Sequence, residues 1–234
     1  HLYAKITDLE LTSADIVAQT ASQCFDISVW QFLAALVVGG RVHFIDDDTA
    51  RDPERLLTQI QETQISILET VPSLLPSILD VSETSAYAQL QSLKWLIVTG
   101  EAFPIDLCQR WLRAGTSIPV MNAYGPTETT ILKFFHFVKP DDVEKPSIPI
   151  GKPVNGAAVM LINSRGQLCR EETVGEIHIK TPYRSHGYYG EPELTKEVFI
   201  QNPFNNDPSD IIYKTGDFGR LLKGGDLEFL GRRD

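Results

Sequence analysis

Apolar and polar positions alternate in two different ways along the chain. In "SVWQFLAALVV", Val29, Phe32, Leu33 and Leu36 fall at i, i+3, i+4 and i+7, which predicts an amphipathic helix with those side chains as its buried face. Gly39-Gly40 ends it before a short strand, "RVHFI". Asp52-Pro53 supplies an N-cap and a proline at the first helical position for a helix through "ERLLTQIQE". Strand "ISILETV", helix "PSLLPSILD", strand "KWLIVTG", helix "PIDLCQRWLRAG" and strand "IPVMNAYG" follow. Short apolar strands alternating with helices predict an α/β fold, a mostly parallel sheet with helices on its faces.

From about residue 140 the period changes to two, in "AAVMLIN", "GEIHIKT", "IYKTGD" and "LEFLG", and Pro and Gly become frequent. This predicts a small antiparallel, β-barrel-like subdomain over 141–234 after an α/β subdomain over 1–140, joined through "KPDDVEKPSIPIGKPVNG". "PELTKEVFI" reads as its one helix, and "KGGD" as the turn of a hairpin. No internal repeat or low-complexity tract interrupts either region.

Composition narrows the function classes. With 42% hydrophobic and 22% charged residues the 234-residue chain is globular in character, and runs such as "FLAALVVGG" are too short to span a bilayer. The net charge of -10 argues against nucleic acid and anionic membrane as general partners. Cys24, Cys108 and Cys169 are odd in number and widely spaced, which supports neither a disulfide framework nor a zinc site and suits a reducing cytoplasm. The first residues lack the order of a secretory signal and the chain begins without Met, so it reads as part of a longer protein.

The candidate chemistry sits where parallel strands end, the usual ligand side of such sheets. "NAYGPTETT", residues 122–130, joins a Tyr-Gly-Pro bend to one acid and several hydroxyls. Asn122 offers an amide suited to a purine edge, Tyr124 a ring face, and Gly125 an open backbone for a planar ligand. Thr127, Thr129 and Thr130 can donate to phosphate oxygens, and Glu128 is a hard ligand for magnesium held between protein and phosphates. Threonine followed by an acid also caps helices, and a strand-end tyrosine also simply packs. In "YKTGDFGRLLKGGDLEFLGRRD", Asp217 can accept two ribose hydroxyls, Arg232 can reach the same sugar or a phosphate, and Phe229 can pack beside them.

"FDISVWQ", "NAYGPTETT", "GEIHIKTPYRSHGYYGEPELTKEVF", "YKTGD" and "GRRD", in that order, closely resemble the adenylation domains of non-ribosomal peptide synthetases, in the adenylate-forming superfamily with acyl-CoA synthetases and luciferases. The resemblance covers essentially the whole chain. It implies a ligase that makes an aminoacyl-adenylate from an α-amino acid and Mg-ATP, then passes the acyl group to phosphopantetheine on a carrier protein beside other synthetase modules. Tyr124 would then stack on adenine, with Asn122 and Gly100, Glu101 and Ala102 at its rim. Thr127 would contact the α-phosphate, Glu128 the Mg2+ ion, and Asp217 and Arg232 the ribose. Asp26 would pair with the substrate α-ammonium, although an Asp there also suits a helix N-cap. Ile27, Trp30, Glu69, Ile97, Thr99, Ala123, Ile131 and Leu132 would line the side-chain pocket. Within it Glu69 is the one charge, and it must meet a basic or donor-bearing substrate, be satisfied by neighbours, or stay protonated.

Two of the family's elements do not occur within these 234 residues, the Ser/Thr/Gly-rich phosphate loop and a lysine-bearing subdomain beyond a hinge at Asp234. The expectation is therefore a piece of the family's large N-terminal portion that does not adenylate by itself. Gln31 stands where the family often has Glu, and Ser185-His186 where it has Ala-Arg. An acyl-CoA or aryl-acid ligase, which Asp26 argues against, and a scaffold that keeps the fold without the chemistry remain the alternatives.

Overall fold

The computed structural model describes residues 2–85 and 87–232. Asp234, expected at a hinge, lies outside the described residues. By internal contacts the chain forms two compact units, one of His1–Ala123 with Phe137–Ile148, the other of Tyr124–His136 with Pro149–Asp234.

The first unit is the α/β portion. Its elements run α1 (Leu2–Asp8), β1 (Ile16–Gln19), α2 (Ile27–Val37), β2 (Arg41–Phe44), α3 (Asp47–Ala50), α4 (Pro53–Thr63), β3 (Ile67–Thr70), α5 (Leu75–Thr84), β4 (Trp95–Thr99), α6 (Ile105–Arg113) and β5 (Val120–Tyr124) up to its last residue. The strands lie in the order β2-β1-β3-β4-β5, all parallel, with Glu69 beside Ile97 and Thr99 beside Ala123. Strands β1 and β3 are buried at every position, as expected where helices cover both faces. On one face Leu56, Leu57 and Ile60 of α4, Leu75 and Ile78 of α5 and Trp111 of α6 pack with Leu68, Leu96 and Val98 in one core. Helix α4 starts where its cap residue predicts. The Asp52 carboxylate accepts the N–H groups of Glu54 and Arg55, which would otherwise lack partners.

Helix α2 forms over the expected residues but presents the opposite face to the core. Ser28, Trp30, Gln31, Ala34 and Ala35 are buried, while Val29, Leu33 and Leu36 are exposed and Phe32 is half-buried. The small side chains of Ala34 and Ala35 admit close approach of the helix, and Gln31 is held inward because its Oε1 accepts the N–H groups of Thr20 and Ala21 after β1. These contacts accompany the inward face, with Trp30 buried beside them. Phe32 meets Phe44 of β2, ring centroids 5.7 Å apart.

The second unit contains β6 (Phe134–Phe137) up to its last residue, antiparallel to β7 (Lys152–Pro153), and a separate antiparallel sheet. That sheet comprises β8 (Ala158–Ile162), β9 (Val174–Lys180), β10 (Phe199–Gln201), β11 (Ile211–Leu221) and β12 (Leu227–Arg232). Its order is β10-β11-β9-β8, with β12 also on β11. The eleven residues of β11 serve two partners in succession, β10 along its first part and β12 along its last. Phe134, Ile150, Leu161, Ile177, Ile179 and Leu227 form the core. Helix α7 (Pro192–Val198) is shorter than "PELTKEVFI" suggests, because Phe199 and Ile200 leave it to pair with Tyr213 and Ile212. Aromatic and β-branched side chains gain more from that cross-strand packing than from another helical turn. A mostly parallel sheet flanked by helices, followed by a smaller antiparallel sheet, is the predicted fold class.

Candidate functional site

The second unit gathers an aromatic ring, a carboxylate and a guanidinium around the ends of β5, β11 and β12. The Tyr124 hydroxyl donates to Asp217 Oδ2 at 2.5 Å, and Arg232 Nε donates to Asp217 Oδ1 at 3.0 Å. Asp217 and Arg232 are register partners across the β11–β12 hairpin, so the ladder itself sets the ion pair. Phe229 and Phe134 flank the Tyr124 ring at 5.6 and 5.9 Å between centroids. Burial, then the charge and hydrogen bond of Asp217, push the Tyr124 hydroxyl well above the usual phenol range, so it stays a donor. The hydrogen bond to Asp217 is the main reason that the Arg232 guanidinium is held above its ordinary value. Arg232 Nη2 also donates to the Thr215 carbonyl at 3.1 Å, and its side chain remains 60% exposed. Carboxylate and cation therefore sit beside a ring that lies partly open.

The bend after Tyr124 has a steric cause that the sequence conceals. A Cβ on Gly125 would overlap the Ile131 carbonyl, so the glycine is required by the chain's own return, before any ligand is considered. Thr130 and Ile131, both β-branched, adopt positive φ of 72° and 55°, a strained stretch. Lys133, wholly buried, donates its ammonium to the carbonyls of Thr130 at 2.7 Å and Leu132 at 3.1 Å and so braces it. Thr127 is exposed on the short 3-10 turn Thr127–Thr129. Half-buried Glu128 accepts the Tyr188 hydroxyl on Oε1 at 2.6 Å. Burial, then the bond to Glu128, raise the Tyr188 hydroxyl above its ordinary value, so it remains a donor that fixes the carboxylate. Lys133 and Tyr188 carry no local signal; only the folded chain brings them here.

In the first unit, Gly100, Glu101 and Ala102 follow β4 at an exposed turn. The Glu101 carboxylate accepts the N–H of Ser73 at 3.1 Å and its hydroxyl at 2.9 Å, beside a cleft of about 350 Å³ also bordered by Ala102 and Pro104. Asn122 lies on β5. Its side chain is 2% exposed, and its Nδ2 donates to the Ile148 carbonyl at 3.5 Å.

Of the expected pocket residues, Asp26, Ile27, Trp30, Glu69, Ile97, Thr99 and Ala123 belong to this unit, and Ile131 and Leu132 to the second. Asp26 occupies the N-cap position of α2, yet its side chain makes no cap hydrogen bond. The capping alternative is thereby set aside. Glu69, on β3, is satisfied by neighbours. Lys5 Nζ lies 3.0 and 3.1 Å from its two oxygens, and the Trp30 indole N–H donates to Oε2. The same ammonium sits 3.7 Å from the Trp30 ring centroid. Burial lowers the Lys5 pKa against the opposing pull of Glu69, by charge and hydrogen bond, and of Asp26. Lys5 and Glu69 are 64 positions apart, and no sequence pattern joins them.

Residues 2–189 match the family of AMP-binding enzymes. The chain belongs to that family. It is 36% identical over 224 residues to tyrocidine synthase 3 of Brevibacillus parabrevis, covering 96% of this chain and 3% of that protein. It is 31% identical to enterobactin synthase component F of Escherichia coli (strain K12), covering 96% and 17%, and 34% identical to gramicidin S synthase 1 of Brevibacillus brevis, covering 97% and 19%. This AMP-binding chain thus spans less than a fifth of those relatives. Among solved structures it superposes at a TM-score of 0.86 and 28% identity on PA1221, a non-ribosomal peptide synthetase protein containing adenylation and PCP domains, over 96% of this chain and 38% of that one. It superposes at 0.91 and 27% on the non-ribosomal peptide synthetase FmoA3 with α-methyl-L-serine-AMP bound, over 100% and 26%. The homologues of this AMP-binding chain are therefore adenylation domains of peptide synthetases.

Proposed function

We propose that this chain is the nucleotide-holding and amino-acid-selecting part of an adenylating ligase. It would act on an α-amino acid and ATP to give an aminoacyl-adenylate and pyrophosphate. The observation that carries the reading is the convergence of Tyr124, Asp217 and Arg232, a ring face, a carboxylate and a guanidinium in one place, in a member of the AMP-binding family. Binding of α-methyl-L-serine-AMP and AMPPNP by FmoA3 supports it by likeness.

In this reading the adenine lies on the Tyr124 ring, and Asp217 takes the ribose hydroxyls while Arg232 holds its charge in place. Thr127 donates to the α-phosphate. The substrate carboxylate attacks phosphorus and pyrophosphate leaves, so the protein contributes position and charge and needs no nucleophile of its own. Glu128, its carboxylate oriented by the Tyr188 hydroxyl, would be a ligand for Mg2+, a hard cation suited to carboxylate oxygen. The ion would neutralise phosphate charge. Asp26 pairs with the α-ammonium, and Trp30, Ile97, Thr99 and Ala123 bound the side chain. The later acceptor is a phosphopantetheine thiol on a carrier domain, within a cytoplasmic synthetase of several modules.

We further propose that the 234 residues alone bind these ligands without turning them over, because no Ser/Thr/Gly-rich phosphate loop occurs among them. The test of the whole reading is amino-acid-dependent ATP–pyrophosphate exchange by the full-length protein. Exchange with α-amino acids, lost in Asp26→Ala, is expected. Exchange supported only by aryl or fatty acids would assign the chain to the acyl or aryl ligases instead.

A further inference from the structure

The buried group at Lys5, Trp30 and Glu69 bears on which side chain is selected. Lys5 and Glu69 side chains are each 3% exposed, and Trp30 is 1% exposed. Glu69 points from β3 with Ile97 as its register neighbour on β4, among the residues assigned above to the pocket. Its two oxygens already receive the Lys5 ammonium and the Trp30 indole N–H. The ammonium also lies 3.7 Å from the Trp30 ring centroid.

We propose that Lys5 is a specificity-determining residue, an internal counter-ion that neutralises Glu69 and restricts the pocket to amino acids with uncharged side chains. The inference rests on the pocket reading above. A basic side chain would have to displace Lys5 and leave that ammonium buried without its carboxylate, which the low-polarity interior penalises heavily. An acidic side chain would meet a cation already held by Glu69. A neutral side chain disturbs neither group. Of the three fates open to Glu69 in the sequence, the folded chain pairs it with neighbours.

The experiment is amino-acid-dependent pyrophosphate exchange by the full-length protein, with leucine, phenylalanine, lysine, ornithine and glutamate as probes. Wild type is expected to favour a neutral probe by at least about tenfold in kcat/KM over lysine and ornithine. Lys5→Met exposes Glu69, and the basic probes should rise at least about tenfold relative to the neutral one, through the amino-acid KM with the ATP KM unchanged. Glu69→Gln strands the cation, and glutamate should rise instead. A merely structural pair would not produce these opposite shifts. Lys5→Met/Glu69→Gln, which removes both charges and leaves neither unpaired, should restore the neutral preference without either gain. A wild type that prefers lysine or ornithine overturns the proposal, as do folded single variants whose ranking is unchanged. So does a double variant that gains a basic substrate. If exchange proceeds only with acids lacking an α-amino group, the pocket reading itself fails, whatever the variants do.

Discussion

Tyr124 and Asp217, 93 positions apart, share a 2.5 Å hydrogen bond from phenol hydroxyl to carboxylate. Ring and acid are thereby fixed as one unit before any ligand arrives. Tyr124→Phe keeps the ring and deletes the donor. Its expected cost is about 1 kcal/mol of stability, the net worth of one such bond, with AMP affinity changed less than about threefold. Tyr124→Ala removes the stacking surface and should weaken AMP at least about tenfold, in line with about 1–3 kcal/mol for a base on an aromatic ring. Fluorescence or calorimetric titration against AMP separates the two; equal losses would show that the ring is not the contact.

The turn that follows depends on the absence of a side chain. Gly125→Ala places a methyl into the Ile131 carbonyl, and overpacking of this kind costs about 1–3 kcal/mol. A lowered urea midpoint with weakened AMP binding is expected. Unchanged stability would mean that the turn relaxes without difficulty.

Lys133 offers a related test at the other end of the same stretch. In Lys133→Met the carbonyls of Thr130 and Leu132 lose their charged donor, a loss of about 1.5–3 kcal/mol for bonds to a charged group. The denaturation midpoint should fall, and hydrogen exchange around residues 130–132 should quicken. No change in exchange there would remove the bracing role.

Stability in acid should register Asp15. Burial alone would raise its pKa, but the Thr12 N–H, the Ser66 and Thr12 hydroxyls and the Lys94 charge together hold it below the usual value. The folded pKa lies below the unfolded one, which is about 3.9. Its contribution is therefore present above about pH 4 and is lost as the pH falls through the folded value. Asp15→Asn should be less stable than wild type near neutrality and converge with it in strong acid. A constant difference at all pH values would contradict the assignment.

How far these features could be read in advance depended on how local their causes are. Asp52 and Pro53 mark the start of α4 because a cap acts on N–H groups two and three positions away. The ring, acid and cation that converge at Tyr124, Asp217 and Arg232 were legible as residue types in compact motifs. Helix α2 was legible as a helix but not in its rotation, because periodicity identifies an apolar stripe, whereas Gln31, on the side that turns inward, bonds to the chain after β1. Strand β1 has only four residues and too short a pattern to announce itself. The partners of Glu69 and Glu128 were hidden for a different reason. Lys5 and Tyr188 lie 64 and 60 positions from them, and only folding makes them neighbours. The burial of Asn122 and its contact with the Ile148 carbonyl were hidden in the same way.

In the proposed function Asp217 holds the sugar of a nucleotide. Calorimetric titration of AMP into the full-length protein, wild type against Asp217→Asn, tests it most directly, with folding checked by circular dichroism. A loss of about 10- to 100-fold in affinity is predicted, corresponding to about 1.5–3 kcal/mol for hydrogen bonds to a charged acceptor. Equal affinity in a folded Asp217→Asn protein would contradict the account.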